Sequence, residues 1–211
     1  AARTYDVLSS AEQKSAAAGN PHAYYHVSKS EIDLPDGTDI HSQAVYDKAA
    51  ENLQQFIKEG TLFQDQQPAY YIYKLIMDGR AQVGLVCASS IADYNNGIIK
   101  KHEFTRPEKE LDRINHIKTT RAQTGNVFLA YTDVPELNVL IDHWQHQHAP
   151  AYDFTADDGI RHTVWVVDEA KTVQEITHLF ETKVPCTYIA DGHHRAASGS
   201  LVQKQFAGKQ L

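Results

Sequence analysis

The sequence predicts an α/β or α+β protein in which a mixed β-sheet is flanked by helices. Three observations carry that expectation. Two β-rich runs, 70–77 and 81–89, are split by Asp78-Gly79-Arg80, the chemistry of a tight hairpin. Val45, Ala49, Leu53, Phe56 and Ile57 recur at helical spacing, and Gly60 follows as a helix terminator. In the last third, apolar strand-like runs alternate with helical stretches. No internal repeat or low-complexity stretch interrupts the pattern.

The remaining elements follow from the same rules. Tyr5-Asp6-Val7-Leu8 reads as a short strand, and Ser9 or Ser10 caps a helix through Ala18 that Gly19-Asn20-Pro21 stops. Residues 22–27 read as a strand, and 31–38 as a loop containing Pro35-Asp36-Gly37. A further strand spans 97–101. Residues 107–122 are helical, with Leu111, Ile114 and Ile117 on one face. A strand over 127–131, a helix over 135–145, a buried strand over 163–167 and a helix over 172–181 come next. A strand over 187–190 and a helix over 196–206 close the chain.

Bulk properties narrow the function classes. A chain of 211 residues can bury a substantial core, and 42% hydrophobic residues with a net charge of -7 fit a globular protein. That charge argues against a nucleic-acid binder built on a general basic surface. No apolar run approaches membrane-spanning length, and no positively charged signal segment opens the chain, so a cytoplasmic location is expected. Cys87 and Cys186 sit in apolar runs and read as buried free thiols in a reducing compartment. The 12 histidines are dispersed; His143, His146 and His148 form only a weak metal patch beside Pro150. The chain reads as a single domain over 1–211. Because it opens without Met at Ala1 and stops just past a helix, it also reads as a fragment of something longer.

Two polar turns stand out. In the first, Asp191-Gly192-His193-His194-Arg195 bridges the last strand and the last helix. A helix start exposes unpaired N–H groups and the positive end of the macrodipole. Histidines and an arginine there point to a bound anion, unless Asp191 is simply an N-cap and the basic side chains are solvated. In the second, Lys100-Lys101-His102-Glu103-Phe104-Thr105-Arg106 lies between a strand end and a helix start. Glu103, flanked by His102, Lys101 and Arg106, suits a general base or a partner of metal and phosphate, with an exposed surface carboxylate as the alternative. Thr105 and Glu108 have capping-box spacing. Asp112, Arg113 and His116 share a helix neighbourhood and are either substrate contacts or a solvated face.

The run from Tyr94 to Tyr131, with Gly97-Ile98-Ile99-Lys100-Lys101-His102-Glu103 and Arg106-Pro107-Glu108-Lys109-Glu110-Leu111-Asp112-Arg113, resembles a bacterial family of unknown function numbered 1015. Tyr5-Asp6-Val7 and the 190–195 motif look like that family's other signatures, although Thr4 stands where the family more often has proline. The resemblance spans nearly the whole chain and implies a protein about twice as long. Within the single domain we distinguish a hairpin and catalytic-turn region (70–131) and a phosphate-turn region (160–211).

Lys-His-Glu after a strand and Asp-Gly-His-His-Arg at a helix start also resemble the free serine kinases of the ParB/sulfiredoxin fold. That resemblance implies a ParB/sulfiredoxin-like strand-turn-helix around 187–206. It implies Glu103 as base on a serine hydroxyl, Asp191 as supporting carboxylate, and Gly192, His193, His194 and Arg195 as phosphate ligands. His102, Thr105, Arg106, Asp112 and Arg113 would then contact substrate, and ADP or ATP with Mg²⁺ would be the cofactor. The match covers two short motifs, and the separation of Glu103 from Asp191 requires an insertion relative to compact kinases of that type.

Phosphoryl transfer asks a protein mainly for positioning and charge neutralisation, which a glycine-opened helix start and a guanidinium can supply. No Walker-type phosphate loop, Gly-x-Ser-x-Gly elbow or Cys-x-x-Cys pair is present. The leading expectation is therefore a nucleotide-dependent phosphotransferase acting on a small hydroxyl substrate such as L-serine. A phosphomonoester hydrolase, a non-catalytic nucleotide-binding or ParB-like partner-binding module, and a metal hydrolase using His102, Glu103, His193 and His194 are the alternatives.

Overall fold

The computed structural model describes residues 8–206. In chain order these form α1 (Ser10–Ala17), α2 (Tyr25–Ser28), a 3-10 turn (Ser30–Asp33) and α3 (Gln43–Lys58). Next come β1 (Tyr70–Met77), β2 (Arg80–Val86), α4 (Ile91–Asn95), β3 (Ile99–Lys100), α5 (Pro107–Thr120) and β4 (Phe128–Ala130). The last elements are α6 (Pro135–Gln147), β5 (Tyr152–Thr155), β6 (Arg161–Val167), α7 (Ala170–Lys183), β7 (Thr187–Asp191) and α8 (His193–Phe206). The class is mixed α/β. The strand expected at Tyr5-Asp6-Val7 lies outside the described residues.

The chain divides into two compact units, each assembled from separate segments. One comprises 1–63, 94–129 and 188–211; the other comprises 64–93 and 130–187. Three of the boundaries, at 93/94, 129/130 and 187/188, fall within α4, β4 and β7, so no linker composition marks them.

In the first unit, Ser9 is the cap of α1. Its hydroxyl accepts the Glu12 N–H, and the Glu12 carboxylate accepts the Ser9 N–H at 2.8 Å, a reciprocal capping box. The strand expected over 22–27 is instead the short helix α2. Aromatic and β-branched residues raise strand propensity there, but tertiary packing overrides it. Val27 is fully buried with Leu53 and Phe56 of α3, and the Val27 carbonyl accepts a hydrogen bond from His116 Nε2 of α5 at 3.0 Å. Gly60, at φ +74°, follows α3 in the left-handed conformation, as expected of a helix end.

Helix α5 packs on α3 and α8, and this changes its buried face. Leu111 is 58% exposed, whereas Arg113, Ile114, His116 and Thr120 are buried. The expected apolar stripe therefore fails at Leu111 but holds at Ile114, and the polar side chains of Asp112 and His116 reach partners far away in sequence. A three-stranded sheet in the order β3-β7-β4 completes the unit, with Ile189 of the central strand buried.

The second unit holds a four-stranded antiparallel sheet in the order β2-β1-β6-β5. Met77 pairs with Arg80, so Asp78 (φ 52°) and Gly79 (φ 76°) form a two-residue hairpin with both central residues left-handed. One sheet face presents Ile72, Trp165 and Val167 to α6 and α7, where Leu137, Ile141, Trp144 and Ile176 close the core. The exposed strand β5 has no counterpart in the sequence expectation. Its Tyr-Asp-Phe-Thr run is too short and too polar to signal a strand.

The strands thus divide between two sheets. The thiols are free but not both buried: Cys87 is exposed and Cys186 half-buried. Cys87 lies one residue past β2 and Cys186 one residue before β7, outside the ladders that bury strand side chains. Among the described residues no helix is long and apolar enough to cross a membrane.

Candidate functional site

The site is built at the end of β7. Ile189 anchors that strand in the core, and the strand ends at Asp191, which leaves the next residues to reverse direction into α8. Gly192 makes the turn at φ +95°, a conformation that costs other residues about 1–2 kcal/mol. A Cβ at Gly192 would also lie 3.1 Å from Arg195 Cζ and Nε. Gly192→Ala is accordingly expected to destabilise the first unit by at least about 1 kcal/mol, measured by urea unfolding. An unchanged midpoint would mean that the turn is not constrained as described.

Helix α8 begins at His193, three residues earlier than the periodicity alone indicates. His193, His194 and Arg195 therefore occupy its first turn rather than a preceding loop. Their side chains do not project as a cluster of free cations. Arg195 is 6% exposed, and its guanidinium donates to the Asp191 carboxylate and to the Asn126 carbonyl. The 123–126 segment closes around it. Gln123 Nε2 donates to the Arg195 carbonyl at 3.2 Å, and a Cβ at Gly125 would stand 3.1 Å from Arg195 Cδ. Arg195 thus pins Asp191 and the turn from behind.

The two histidines act as acceptors. His102 N–H donates to His193 Nε2 at 3.5 Å, and Arg106 N–H donates to His194 Nε2 at 3.0 Å. An imidazole nitrogen that accepts is unprotonated, so the bond assigns the His193 proton to Nδ1, which lies 3.3 Å from Glu103 Oε2. Burial, and then the neighbouring His102, pushes the His193 pKa below its ordinary value. The His102 ring stands edge-on to His193, with centroids 4.4 Å apart.

The positive charge that suggested an anion in the sequence is therefore absorbed within the protein. His193 and His194 each accept a backbone N–H, and Arg195 is paired with Asp191. The two carboxylates stay open to solvent: the Glu103 and Asp191 side chains are each 61% exposed. Both sit at the N-terminal end of α8, where first-turn N–H groups have no intrahelical partner.

The histidine bonds carry a pH signature. A depressed imidazole pKa means that the unfolded chain takes up the proton first as pH falls. The contribution of His193 is therefore complete above its ordinary pKa of about 6.5 and is lost as pH drops through that value toward the folded one. His116, also buried and depressed, adds in the same direction. Urea unfolding at pH 7.5 and 5.5 is expected to show stability falling with pH. His193→Gln should reduce the slope by up to about 1.4 kcal/mol per pH unit; an unchanged slope would assign the bonds no energetic weight.

Other sequence-designated residues fall elsewhere. Arg106 is the N-cap residue of α5 by position, with Pro107 at N1 and no side-chain cap bond. The Thr105–Glu108 capping box does not form, because Pro107 sets the helix start one residue too late for it. The Thr105 hydroxyl instead donates to the Glu110 carboxylate.

Asp112 and Arg113 face α3. Asp112 Oδ1 accepts from Tyr46 Oη at 2.9 Å and His41 Nδ1 at 3.2 Å. Asp112 Oδ2 accepts from Arg113 Nε at 2.9 Å and Nη2 at 2.6 Å. Burial pushes the Asp112 pKa up, yet Arg113 and these donors hold it below the usual carboxylate range. The Tyr46 hydroxyl is pushed up to about 12, by burial first and Asp112 second. These residues tie α5 to α3 and line a small cleft with Lys29 and Glu31. Two positions along an α-helix differ by about 200°, so Asp112 points away from Glu110, whose carbonyl receives the Ser198 hydroxyl of α8.

Asn126, Gln123 and Gly125 were not legible as site residues. Their only signal is a turn-like composition before β4, and their contact with Arg195 spans about seventy residues of sequence. In the second unit, His146 Nδ1 donates to the Asp142 carbonyl at 2.6 Å, and the His148 ring stacks on Trp144 with centroids 3.7 Å apart. Among the described residues no group of three or more His, Cys, Asp or Glu side chains is arranged to hold a metal ion.

Comparison with known proteins gives one match. The chain belongs to the family described as Protein of unknown function (DUF1015), over residues 1–210. No curated protein and no solved structure matches it.

Proposed function

We propose that this family member is a nucleotide-dependent phosphotransferase acting on a small hydroxyl substrate such as L-serine, with ADP or ATP as donor. The observation that carries the reading is the contact between Glu103 and His193. It brings a half-exposed carboxylate from the β3–α5 loop to the first turn of α8, within the same unit as Asp191. A base and an anion-binding helix start in one place are what phosphoryl transfer requires.

In this reading, Glu103 takes the proton of the substrate hydroxyl as its oxygen attacks the terminal phosphorus. The bond from that phosphorus to the nucleotide's bridging oxygen breaks, and the shortened nucleotide leaves. His193, through Nδ1–H, holds the Glu103 carboxylate in position. The N–H groups opened by Gly192 meet phosphate oxygens. Arg195 serves the turn by fixing Asp191 rather than by gripping phosphate directly. Mg²⁺, which supplies charge neutralisation when it accompanies nucleotide, needs only one or two protein carboxylates besides the phosphates. Asp191 is exposed enough to be one of them.

The test is incubation of purified protein with ADP or ATP, L-serine and Mg²⁺, read as phosphoserine. Product above a Glu103→Ala control is expected, and none would sink the reading. Release of inorganic phosphate from phosphoserine without nucleotide would mean hydrolysis at the same turn. Nucleotide binding that survives Glu103→Ala without turnover would mean a binding module.

A further inference from the structure

Phe104 sits midway in the 101–106 loop and is 103% exposed. Scattered surface aromatics are ordinary, but this one is held in a particular place. The loop is fastened two residues to either side, by His102 N–H on His193 and by Arg106 N–H on His194. The adjacent Glu103 carboxylate is held at His193 Nδ1. Those contacts fasten the backbone on both sides of the ring, which stays exposed and forgoes the roughly 1.5–3 kcal/mol that burial of such a side chain would contribute. An apolar face is thus kept bare directly beside the proposed base.

We propose that Phe104 is the stacking wall for the base of the nucleotide, with the phosphates extending to the first turn of α8. This rests on the phosphotransferase reading and names the part of the donor that the loop recognises. A small hydroxy acid has no flat apolar face to match the ring, whereas a nucleobase has two. The exposed cations of the same segment, Lys100 and Arg106, suit an anionic ligand as well. Stacking of a base on an aromatic side chain is sequence-tolerant, so one ring serves adenine and guanine nucleotides alike.

The test compares ADP, ATP and inorganic tripolyphosphate, each with Mg²⁺, binding to wild type, Phe104→Ala and Phe104→Trp by titration calorimetry. Because Phe104 is fully exposed, both variants are expected to keep the wild-type melting temperature. Phe104→Ala should weaken nucleotide binding roughly 5- to 150-fold while leaving tripolyphosphate unchanged, and Phe104→Trp should restore nucleotide affinity. Wild-type nucleotide affinity in Phe104→Ala would overturn the stacking role and leave the phosphate turn standing. Equal weakening of nucleotide and tripolyphosphate would also overturn it, by showing that the substitution moves the loop. Failure of wild type to bind either ligand would overturn both the wall and the phosphate turn.

Discussion

Asp112→Ala is expected to destabilise the first unit by about 3 kcal/mol, read from urea unfolding. The carboxylate is the shared acceptor for Tyr46, His41 and Arg113, and Arg113 and Tyr46 are both buried. Removing Asp112 takes from the buried Arg113 a counter-charge 2.6 Å away, and breaking such a pair costs more than the intact pair contributes. The buried Tyr46 hydroxyl also loses its acceptor, adding about 1 kcal/mol or more. Asp112→Asn should be milder, since an amide oxygen still accepts from Tyr46. Had Asp112 been a substrate contact, the Ala variant would raise KM with little effect on folding. A stability change below about 1 kcal/mol would return it to that role.

Glu103→Gln is expected to lower kcat by about 10²–10⁴-fold while nucleotide affinity stays near wild type. The amide keeps the size of the carboxylate and can still accept from His193 Nδ1–H, but it cannot take a proton. Because Glu103 is 61% exposed, the stability change should stay within about 0.5 kcal/mol. The split between kcat and affinity separates a base from a structural residue. Asp191 offers no such clean experiment: Asp191→Asn would also release Arg195, which holds the turn together with Asn126 and Gln123. Unchanged kcat in Glu103→Gln would remove the base from the mechanism.

Local chemistry was legible wherever the physics is local. Ser9 or Ser10 was the expected cap of the first helix, and Ser9 takes that place in a capping box with Glu12. Asp78-Gly79 announces a tight hairpin, because left-handed backbone is cheap there, and the strands pair in that register. The breaks on either side of Gly192 likewise marked a strand-to-helix turn. Residues 22–27 misled because strand propensity in a short segment is weaker than the packing of Val27 beneath α3. Leu111 misled because the face of α5 was set by Asp112 meeting Tyr46 of α3 and His116 meeting Val27 of α2.

The sequence by itself determined which residues could carry chemistry: Glu103 at one strand end, Asp191 and Gly192 at another, and basic side chains near both. Only the tertiary structure decided what those side chains face. Hydrogen bonds and ion pairs depend on ångström distances between residues that lie 69 to 91 positions apart here, and no local pattern encodes those distances. Folding turned His193 and His194 into hydrogen-bond acceptors that fasten the Glu103 loop. It turned Arg195 inward onto Asp191 and left Phe104 bare beside the site.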